Sequence, residues 1–277
     1  MMNTLRTMVV SAAVMLVSSI MTVSAQDEIV IDGSTTVGPI AKAFAEYFMD
    51  ENEGVNVTVS ESGSGNGIKS LINGDCDIGQ SSRFMTDGEF AAAVDNGVTP
   101  IAHVVALDGI APVVHPANPV QELSLDELRD IYAGKIRNWR EVGGPDREIV
   151  AISRDTNSGT YGVWSNVVMR GTDMASHVEY VGSNGAIRSR VKDTKAALGF
   201  VGLGFLDRAL KGVKVNGVEP TPATTATGEF PIARPLFFFT DGYPELGSTL
   251  HRFVNLYQTP TGQQLVEGLG FVPVTHY

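Results

Sequence analysis

Cysteine is almost absent from this chain, because Cys76 is the single cysteine among 277 residues. A lone cysteine cannot form an intramolecular disulfide, so a chain that reaches an oxidising compartment must depend on its hydrophobic core. Cys76 lies in the segment Asn73–Ile78, at the entry to a predicted strand. A small packed hydrophobic side chain is a more common role there than a reactive thiol. We therefore expect Cys76 to be structural.

The sequence also lacks the short motifs of several enzyme classes. It has no G-x-x-x-x-G-K-[ST] segment, which excludes a P-loop nucleotide site, and no G-x-S-x-G nucleophile elbow. Asp75 and Asp77 form a close pair, but no further carboxylates follow nearby, so turn roles are favoured over a metal site. The histidines show no metal-ligand spacing such as H-E-x-x-H: His103, His115, His177, His251 and His276. We expect no enzyme activity, no metal and no cofactor.

Long hydrophobic runs are confined to the N-terminus. Arg6 provides a positive charge, Met8–Val23 is apolar with interspersed serines, and Val23–Ala25 offers the small residues that signal peptidase requires. We predict a signal peptide over residues 1–25, with cleavage after Ala25; an uncleaved anchor helix is the alternative. No cysteine follows the apolar stretch, which argues against a lipoprotein anchor. The mature chain is expected to be periplasmic or secreted, without direct membrane insertion.

Positive charge is scarce in the predicted mature chain. Residues 1–25 contain one arginine and no acid, so 19 basic and 31 acidic residues remain, with a net charge of −12. This balance argues against nucleic acid and anionic lipid as partners. An anion would have to be bound by local dipoles and a few placed charges.

The remaining sequence alternates short β-branched strands with helical stretches, which is typical of an α/β protein. Ile40, Phe44, Tyr47 and Phe48 share one face of the first predicted helix. The strand–loop–helix unit recurs along the chain. Strands are predicted at Glu28–Ile31, Val55–Val59 and Glu148–Ser153, and the helices after them begin at Pro39, Ile68 and Tyr161.

Two apolar segments, at residues 107–112 and 232–239, are predicted to pass between two lobes. Residues 26–109 together with 235–277 would form a discontinuous first lobe. Residues 110–234 would form an inserted second lobe. Boundaries of this kind are the least certain part of a sequence-based assignment.

Three strand–loop–helix junctions are rich in Ser, Thr and Gly. A helix N-terminus has unpaired N–H groups and partial positive charge, so such a junction can bind an anion. The same residues are ordinary caps and turn formers, so one loop alone is weak evidence. Three loops at the C-terminal ends of strands favour a shared ligand crevice. Arg83 and Arg154, each at a predicted strand end, could bind an oxyanion bidentately.

These segments resemble the phosphate-binding proteins of ABC phosphate transporters. The motifs occur in the family's order: Asp32–Ile40, Ser62–Lys69, Gly74–Arg83 and Arg154–Thr160. Further segments look like parts of the same family: Leu107–Ala111, Tyr132–Trp139, Ala197–Phe205 and Ala233–Leu236. The resemblance covers nearly all of the mature chain. It implies a two-lobed type II periplasmic-binding-protein fold, with a mixed sheet and flanking helices in each lobe and phosphate held between the lobes.

The resemblance also implies a set of phosphate ligands. Family members typified by an aspartate in the third loop use it to accept the phosphate proton, but here Ser82 occupies that place, followed by Arg83. Asp108 is the leading replacement and Asp155 the second, although Asp108 could be a turn or hinge cap and Asp155 could orient Arg154. The ligand set carried over by motif is Thr35, Thr36, Ser64, Ser82, Arg83, Arg154, Ser158, Gly159 and Thr160, with Asp108 added as acceptor.

The resemblance implies high-affinity phosphate binding outside the cytoplasm and delivery to an ABC transporter permease, by a protein that is a monomer. One alternative is a binding protein for another oxyanion, such as sulfate, molybdate or tungstate. Others are a secreted phosphatase-like hydrolase, or a surface or sensor protein on the same fold.

Overall fold

A computed structural model of the chain describes residues 27–275. The predicted signal peptide, and its cleavage site after Ala25, lie outside the described residues. Between residues 27 and 275, no helix combines the length and the apolar character needed to cross a bilayer.

The described residues form an α/β architecture with one large mixed sheet. Its strand order is β2-β1-β3-β11-β4-β8-β6-β7, β9 pairs with β4, and β5 and β10 form a separate parallel pair. The strands are β1 Asp27–Gly33, β2 Val55–Ser60, β3 Ile78–Ser81, β4 Pro100–Val114, β5 Glu122–Leu123, β6 Val150–Arg154, β7 Glu179–Val181, β8 Ala197–Gly202, β9 Lys211–Gly212, β10 Lys214–Val215 and β11 Ala233–Asp241.

The third to ninth helices of the described residues each begin after a Ser or Thr whose hydroxyl accepts a backbone N–H of the first turn, whereas the first two have no such cap. Thr86 with Glu89, and Ser124 with Glu127, form reciprocal capping boxes, and Pro39 lies at the start of the first helix. The helices are α1 Gly38–Glu51, α2 Ser64–Asn73, α3 Asp87–Asp95, α4 Leu125–Tyr132, α5 Gly159–Trp164, α6 Asn184–Asp193, α7 Pro222–Ala226, α8 Thr249–Val254 and α9 Pro260–Gly268.

Strand β4 connects two groups of strands. It pairs antiparallel with β11 from Pro100 to Gly109 and with β8 from Ile110 to Val114. We call β1–β3, β11 and β4 through Gly109 the first lobe, and β6–β8 with the rest of β4 the second lobe. The change of partner after Gly109 lies at the predicted lobe boundary, although the full division of the chain remains a prediction.

Each lobe has an apolar core of its own. In the first lobe, Phe48 and Phe253 pack edge to face, with ring centroids 5.3 Å apart, against buried Phe238. In the second lobe, Trp164 and Phe200 stack with centroids 4.0 Å apart. Aromatic pairs at such distances stabilise a core beyond simple burial. Two separate cores allow the lobes to move as units.

Two helix starts differ from the prediction. Helix α2 begins at Ser64 and not at Ile68. The intervening glycines are needed because the helix packs closely on β1: a Cβ at Gly67 would lie 2.4 Å from the Asp32 carbonyl oxygen. The helix predicted from Tyr161 begins two residues earlier as α5, and a π-helical turn over Ser165–Met169 follows it. Glycine-rich helix starts are therefore easily mistaken for loops.

Cys76 lies in a small apolar cluster of the first lobe, beside Ile68 and Leu71 of α2. Burial, reinforced by Asp32 and Asp77, raises the pKa of the Cys76 thiol to about 12. The thiol is therefore protonated and unreactive at neutral pH.

Candidate anion-binding site

The candidate site lies where the loops of the two lobes face each other. The first lobe contributes the loop after β1, the start of α2 and the residue after β3. The second lobe contributes the end of β6 and the starts of α5 and α6. Of the predicted set, the residues buried here are Thr35, Thr36, Ser64, Ser82, Asp108, Arg154, Ser158, Gly159 and Thr160.

Hydroxyl groups from both lobes meet at this point. The Thr36 and Thr160 hydroxyl oxygens are 3.1 Å apart, across the cleft. The Ser64 and Ser82 hydroxyl oxygens are 3.3 Å apart, within the first lobe. Gly159 lies against this serine pair, because a Cβ there would be 2.5 Å from Ser64 Oγ. The arrangement concentrates hydroxyl donors in one small buried volume.

Helix starts orient two of these residues. The Ser158 hydroxyl accepts the Tyr161 N–H of α5 at 3.3 Å, so it is the N-cap of that helix. Since a hydroxyl has one proton and two lone pairs, Ser158 can cap α5 and still donate. Ser64 is the first residue of α2, and its hydroxyl accepts the Ser82 N–H at 3.1 Å.

Arg154 supplies a buried positive charge. Its side chain is 1% exposed, and it donates through Nε to the Val181 carbonyl oxygen at 3.3 Å and through Nη2 to that of Gly182 at 2.8 Å. Its Nη1 has no partner within the described residues. Burial lowers the pKa of Arg154 to about 10, although the Asp155 charge favours the protonated form. A buried cation with a free N–H is suited to an anion.

A second buried arginine, Arg234, pairs with Asp108. Its Nη2 lies 2.9 Å from Asp108 Oδ2, and Asp108 Oδ1 accepts the Leu203 N–H at 2.8 Å. Burial raises the pKa of Asp108 and lowers the pKa of Arg234, and the attraction between them opposes both shifts. Arg234 also donates to the Ser82 carbonyl oxygen at 2.9 Å and to the Thr160 hydroxyl at 2.9 Å. It thus contacts both lobes.

Asn184, the first residue of α6, also reaches across the cleft. Its Nδ2 donates to Thr36 Oγ1 at 2.9 Å and to Thr35 Oγ1 at 3.3 Å. Its Oδ1 accepts the Gly202 N–H at 3.4 Å. The side chain is fully buried. This junction of β7 and α6 is a fourth Ser- and Gly-containing loop at the same edge of the sheet.

Arg83, which the resemblance placed in the ligand set as a prediction, is paired with a carboxylate in this structure. Both of its Nη atoms donate to the Glu89 carboxylate at 2.7 Å, and Nη1 also donates to the Phe84 carbonyl oxygen. Glu89 is held for this contact because it closes the capping box of α3 with Thr86. The structure therefore places the Arg83 guanidinium outside the hydroxyl cluster, with its charge compensated.

Asn157 closes the cleft beside the cluster. Its Nδ2 donates to the Ser62 carbonyl oxygen at 2.8 Å, and its own carbonyl oxygen accepts the Gly65 N–H at 3.0 Å. Asp155 accepts the Asn157 N–H at 2.9 Å, so this carboxylate shapes the loop that carries the contact. The lobes are therefore joined by hydrogen bonds on the rim of the cluster.

Comparison with known proteins identifies the family. A protein-family model described as a PBP superfamily domain matches residues 22–256 of the sequence. The phosphate-binding protein PstS of Bacillus subtilis (strain 168) is 32% identical over 253 residues, which cover 91% of this chain and 82% of that protein. The chain belongs to the phosphate-binding-protein family. Protein SphX of Synechococcus elongatus is 33% identical, covering 88% of this chain and 76% of its own length.

Solved structures of the phosphate-binding-protein family share this architecture. A Clostridium perfringens structure, described as a phosphate ABC transporter substrate-binding protein with bound phosphate, superposes with a TM-score of 0.84. It is 31% identical, and the match covers 90% of this chain and all of that chain. An ABC-type phosphate transport receptor from Vibrio cholerae has a TM-score of 0.72 at 28% identity, covering 88% and 99% of the chains. The predicted two-lobed fold is thereby confirmed.

Two residues of the site, Asn184 and Arg234, were not identified from the sequence patterns. Arg234 lies in the Ala233–Leu236 segment that carries the resemblance, yet only the pairing of β11 with β4 places it opposite Asp108. Asn184 follows the short strand β7 in a Gly-Ser-Asn-Gly run. That run has the composition of the three junctions that were recognised, so the same signal would have found it.

Proposed function

We propose that the mature chain binds inorganic phosphate outside the cytoplasm and delivers it to the permease of an ABC transporter. The observation that carries this proposal is the buried Arg154, whose Nη1 has no partner within the described residues, at the end of the strand that leads to the Ser158 and Thr160 loop. The relatives from Bacillus subtilis and Clostridium perfringens are named for phosphate binding and phosphate transport, which supports the choice of ligand.

Charge balance favours an anion at this site. Arg154 and Arg234 are two buried guanidinium groups; within the described residues Asp108 forms an ion pair with Arg234, whereas Arg154 forms none and has only the partly exposed Asp155 as a nearby negative charge. A buried charge without a counterion is costly, and an oxyanion next to Arg154 would remove that cost. The same interaction is stronger inside the closed cleft than in water, because the local dielectric is lower.

Binding is reversible and proceeds by closure of the lobes. The open protein presents Thr36 and Ser64 on one lobe and Ser158 and Thr160 on the other. Phosphate bridges the two sets and replaces its hydration shell with their hydrogen bonds. The rim contacts of Asn157 then hold the lobes together. The closed form is the state that docks on the permease.

Asp108 remains our proposed acceptor for the phosphate proton, with Asp155 as the second candidate. A site of donors alone cannot pair a P–OH group, and an unpaired buried polar group costs about 1–3 kcal/mol. Asp108 Oδ1 has one protein donor, Leu203 N–H, so it retains capacity to accept. Asp108→Asn should therefore reduce the preference for phosphate over sulfate, and unchanged selectivity would remove Asp108 from this role.

Isothermal titration calorimetry tests the binding function directly. The mature chain, residues 26–277, is unfolded to release retained phosphate, refolded, and titrated with phosphate, sulfate, molybdate and tungstate. The proposal predicts phosphate binding at micromolar ligand or below, with weaker binding of the other oxyanions. Absence of measurable phosphate binding would defeat the proposal, and tighter sulfate or molybdate binding would favour the other oxyanions.

The cellular role has separate tests. N-terminal sequencing of exported protein should give Gln26 as the first residue if the signal peptide is cleaved after Ala25. Sedimentation should give a monomer.

Incubation with a generic phosphate ester and divalent metals should release no phosphate, whereas turnover would favour the hydrolase alternative. Phosphate uptake that persists after deletion of the gene, with loss of a phosphate-supply response, would favour a sensor.

A further inference from the structure

The Thr36 hydroxyl is surrounded by nitrogen donors. Asn184 Nδ2 lies 2.9 Å from Thr36 Oγ1, and Arg234 Nη2 lies 3.4 Å from it. The neighbouring hydroxyl of Thr160 receives Arg234 Nη2 at 2.9 Å. All four side chains are buried. Their hydrogen bonds must therefore be satisfied within this cluster or by a bound ligand.

These donors determine which way the hydroxyl protons point. An amide nitrogen and a guanidinium nitrogen can only donate, so the threonine oxygens accept from them. Each threonine hydroxyl still has its own proton available to donate. The two Nη2 protons of Arg234 go to Asp108 and Thr160, at 2.9 Å each, so Thr160 can donate its own proton to Thr36 at 3.1 Å. Thr36 then accepts from Asn184 and Thr160, and the Thr160 proton is used. The Thr36 proton has no protein acceptor among the hydrogen bonds of the described residues, so an acceptor such as an oxyanion fits there.

The orientation of the Asn184 amide is fixed by the strand beside it. Its Oδ1 accepts the Gly202 N–H at the end of β8. Exchanging Oδ1 and Nδ2 would place an amide donor against that N–H. Arg234 is held by Asp108, which accepts from Nε and Nη2, and by the Ser82 carbonyl oxygen, which accepts from Nη1.

We propose that Asn184 is a positioning residue that fixes the Thr36 hydroxyl as a hydrogen-bond donor to bound phosphate, while Arg234 orients the Thr160 hydroxyl toward Thr36. This inference rests on the phosphate-binding function proposed above. Asn184 acts through Thr36 and need not touch the ligand. Asn184 belongs to the second lobe and Thr36 to the first. The Thr36 hydroxyl is therefore held in its donating orientation only when the lobes close.

A double-mutant cycle tests this mechanism. Phosphate affinity is measured by calorimetry for the wild type, Asn184→Ala, Thr36→Val and the double variant. Each single change should weaken binding roughly tenfold, the effect of one buried hydrogen bond. The double variant should bind about as weakly as Thr36→Val alone, because the Thr36 hydroxyl is gone and the contact of Asn184 with Thr35, at 3.3 Å, is the longer of its two threonine contacts.

A second cycle provides the matched control. The Ser64 hydroxyl contacts Ser82 and makes no hydrogen bond with Asn184. The losses from Ser64→Ala and Asn184→Ala should therefore multiply, to roughly a hundredfold. Melting temperatures of the ligand-free proteins distinguish a variant that has lost its fold from one that is folded but no longer orients the Thr36 hydroxyl. If Asn184→Ala does not fold, Asn184→Leu, which is close in volume, replaces it in both cycles.

The outcomes separate the inference from the proposed function. A wild type that does not bind phosphate would overturn the function itself. If the wild type binds, wild-type affinity in Asn184→Ala would overturn the inference alone. The inference alone would also be overturned if the affinity losses from Thr36→Val and Asn184→Ala multiply, as those from Ser64→Ala and Asn184→Ala should. Asn184 would then act independently of the Thr36 hydroxyl.

Discussion

At the scale of single residues, the charge of Arg154 dominates the site. Its guanidinium is buried, and Nη1 has no protein partner. Arg154→Met keeps much of the side-chain volume and removes the charge. Since a hydrogen bond to a charged group contributes about 1.5–3 kcal/mol, we expect phosphate affinity to fall by roughly one to two orders of magnitude in calorimetry.

The Arg154→Met variant also tests how the buried charge affects thermal stability. Without phosphate, Arg154→Met should melt no lower than the wild type, because an uncompensated buried cation has been removed. The rise in melting temperature on adding phosphate should shrink with the loss of affinity. Arg147→Met, which changes an exposed arginine of the same lobe, is the control and should bind normally. Wild-type affinity in Arg154→Met would contradict the role of this charge.

Sequence could identify the hydroxyl donors but not the partners of the arginines. Thr36, Ser64 and Thr160 were recognisable from residue type and from their positions at helix starts. Arg83 and Arg234 are both arginines near strand ends, and only the fold distinguishes them. Glu89 is six residues from Arg83 and neutralises it, whereas Asp108 meets Arg234 from 126 positions away. Long-range pairing of this kind has no local signal.

At the scale of secondary-structure elements, Gly159 governs how closely α5 approaches the first lobe. A Cβ there would lie 2.5 Å from Ser64 Oγ, 2.7 Å from Ser82 Oγ and 3.0 Å from the Ser82 backbone carbon. Gly159→Ala should therefore oppose closure, and we expect weaker phosphate binding, roughly tenfold or more, in calorimetry.

Gly185→Ala is the matched control for Gly159→Ala. It makes the same change at the start of α6 in the same lobe, where an added Cβ meets only Ser183 Oγ, at 3.7 Å. Its phosphate affinity should equal that of the wild type. Equal effects of the two substitutions would show that closure does not depend on the clearance at Gly159.

The start of α3 links helix capping to pH-dependent stability. Although burial opposes ionisation of Glu89, hydrogen bonds from Arg83 and Thr86 and the charge of Arg83 hold the pKa of Glu89 below its usual value of 4.5. A lowered pKa stabilises the fold above 4.5 and stops doing so as pH falls through the lowered value. Glu89→Gln should cost about 1 kcal/mol at pH 7, measured by urea unfolding.

This difference should shrink as pH falls through the lowered pKa of Glu89, because the wild-type carboxylate then becomes protonated as well. Glu46→Gln is the comparison, because Glu46 is exposed and forms no ion pair within the described residues. A stability difference for Glu89→Gln that stays constant with pH would show that the effect comes from shape and not from charge.

At the scale of the whole molecule, the sequence pointed to two lobes but could not show how they are joined. Strand β4 runs unbroken from Pro100 to Val114 and pairs with a different strand in each lobe. Asp108 and Gly109, a pair of residues common in turns, stand where the partner changes, yet the strand continues through them. The apolar segments at residues 107–112 and 232–239 indicated a passage between lobes, but the strands that pair with β4 on each side were not predictable from them.

Net charge should influence the rate of phosphate capture. The predicted mature chain has a charge of −12, so its overall field repels the ligand, and added salt screens that field over about 10 Å at 0.1 M. We expect the association rate, measured by stopped flow, to rise with potassium chloride concentration. A rate that falls with salt would show that the local field of Arg154 and Arg234 governs capture.

A crystal structure of the mature chain grown with phosphate tests the central claim most directly. The account predicts one phosphate between the lobes, with an oxygen about 2.7–2.9 Å from Arg154 Nη1 and others within hydrogen-bond distance of the Thr36, Ser64 and Ser158 hydroxyls. It also predicts Arg83 still bound to Glu89 and Asn184 still bonded to Thr36. Phosphate bound away from Arg154, or a cleft that stays open and empty at saturating phosphate, would contradict it.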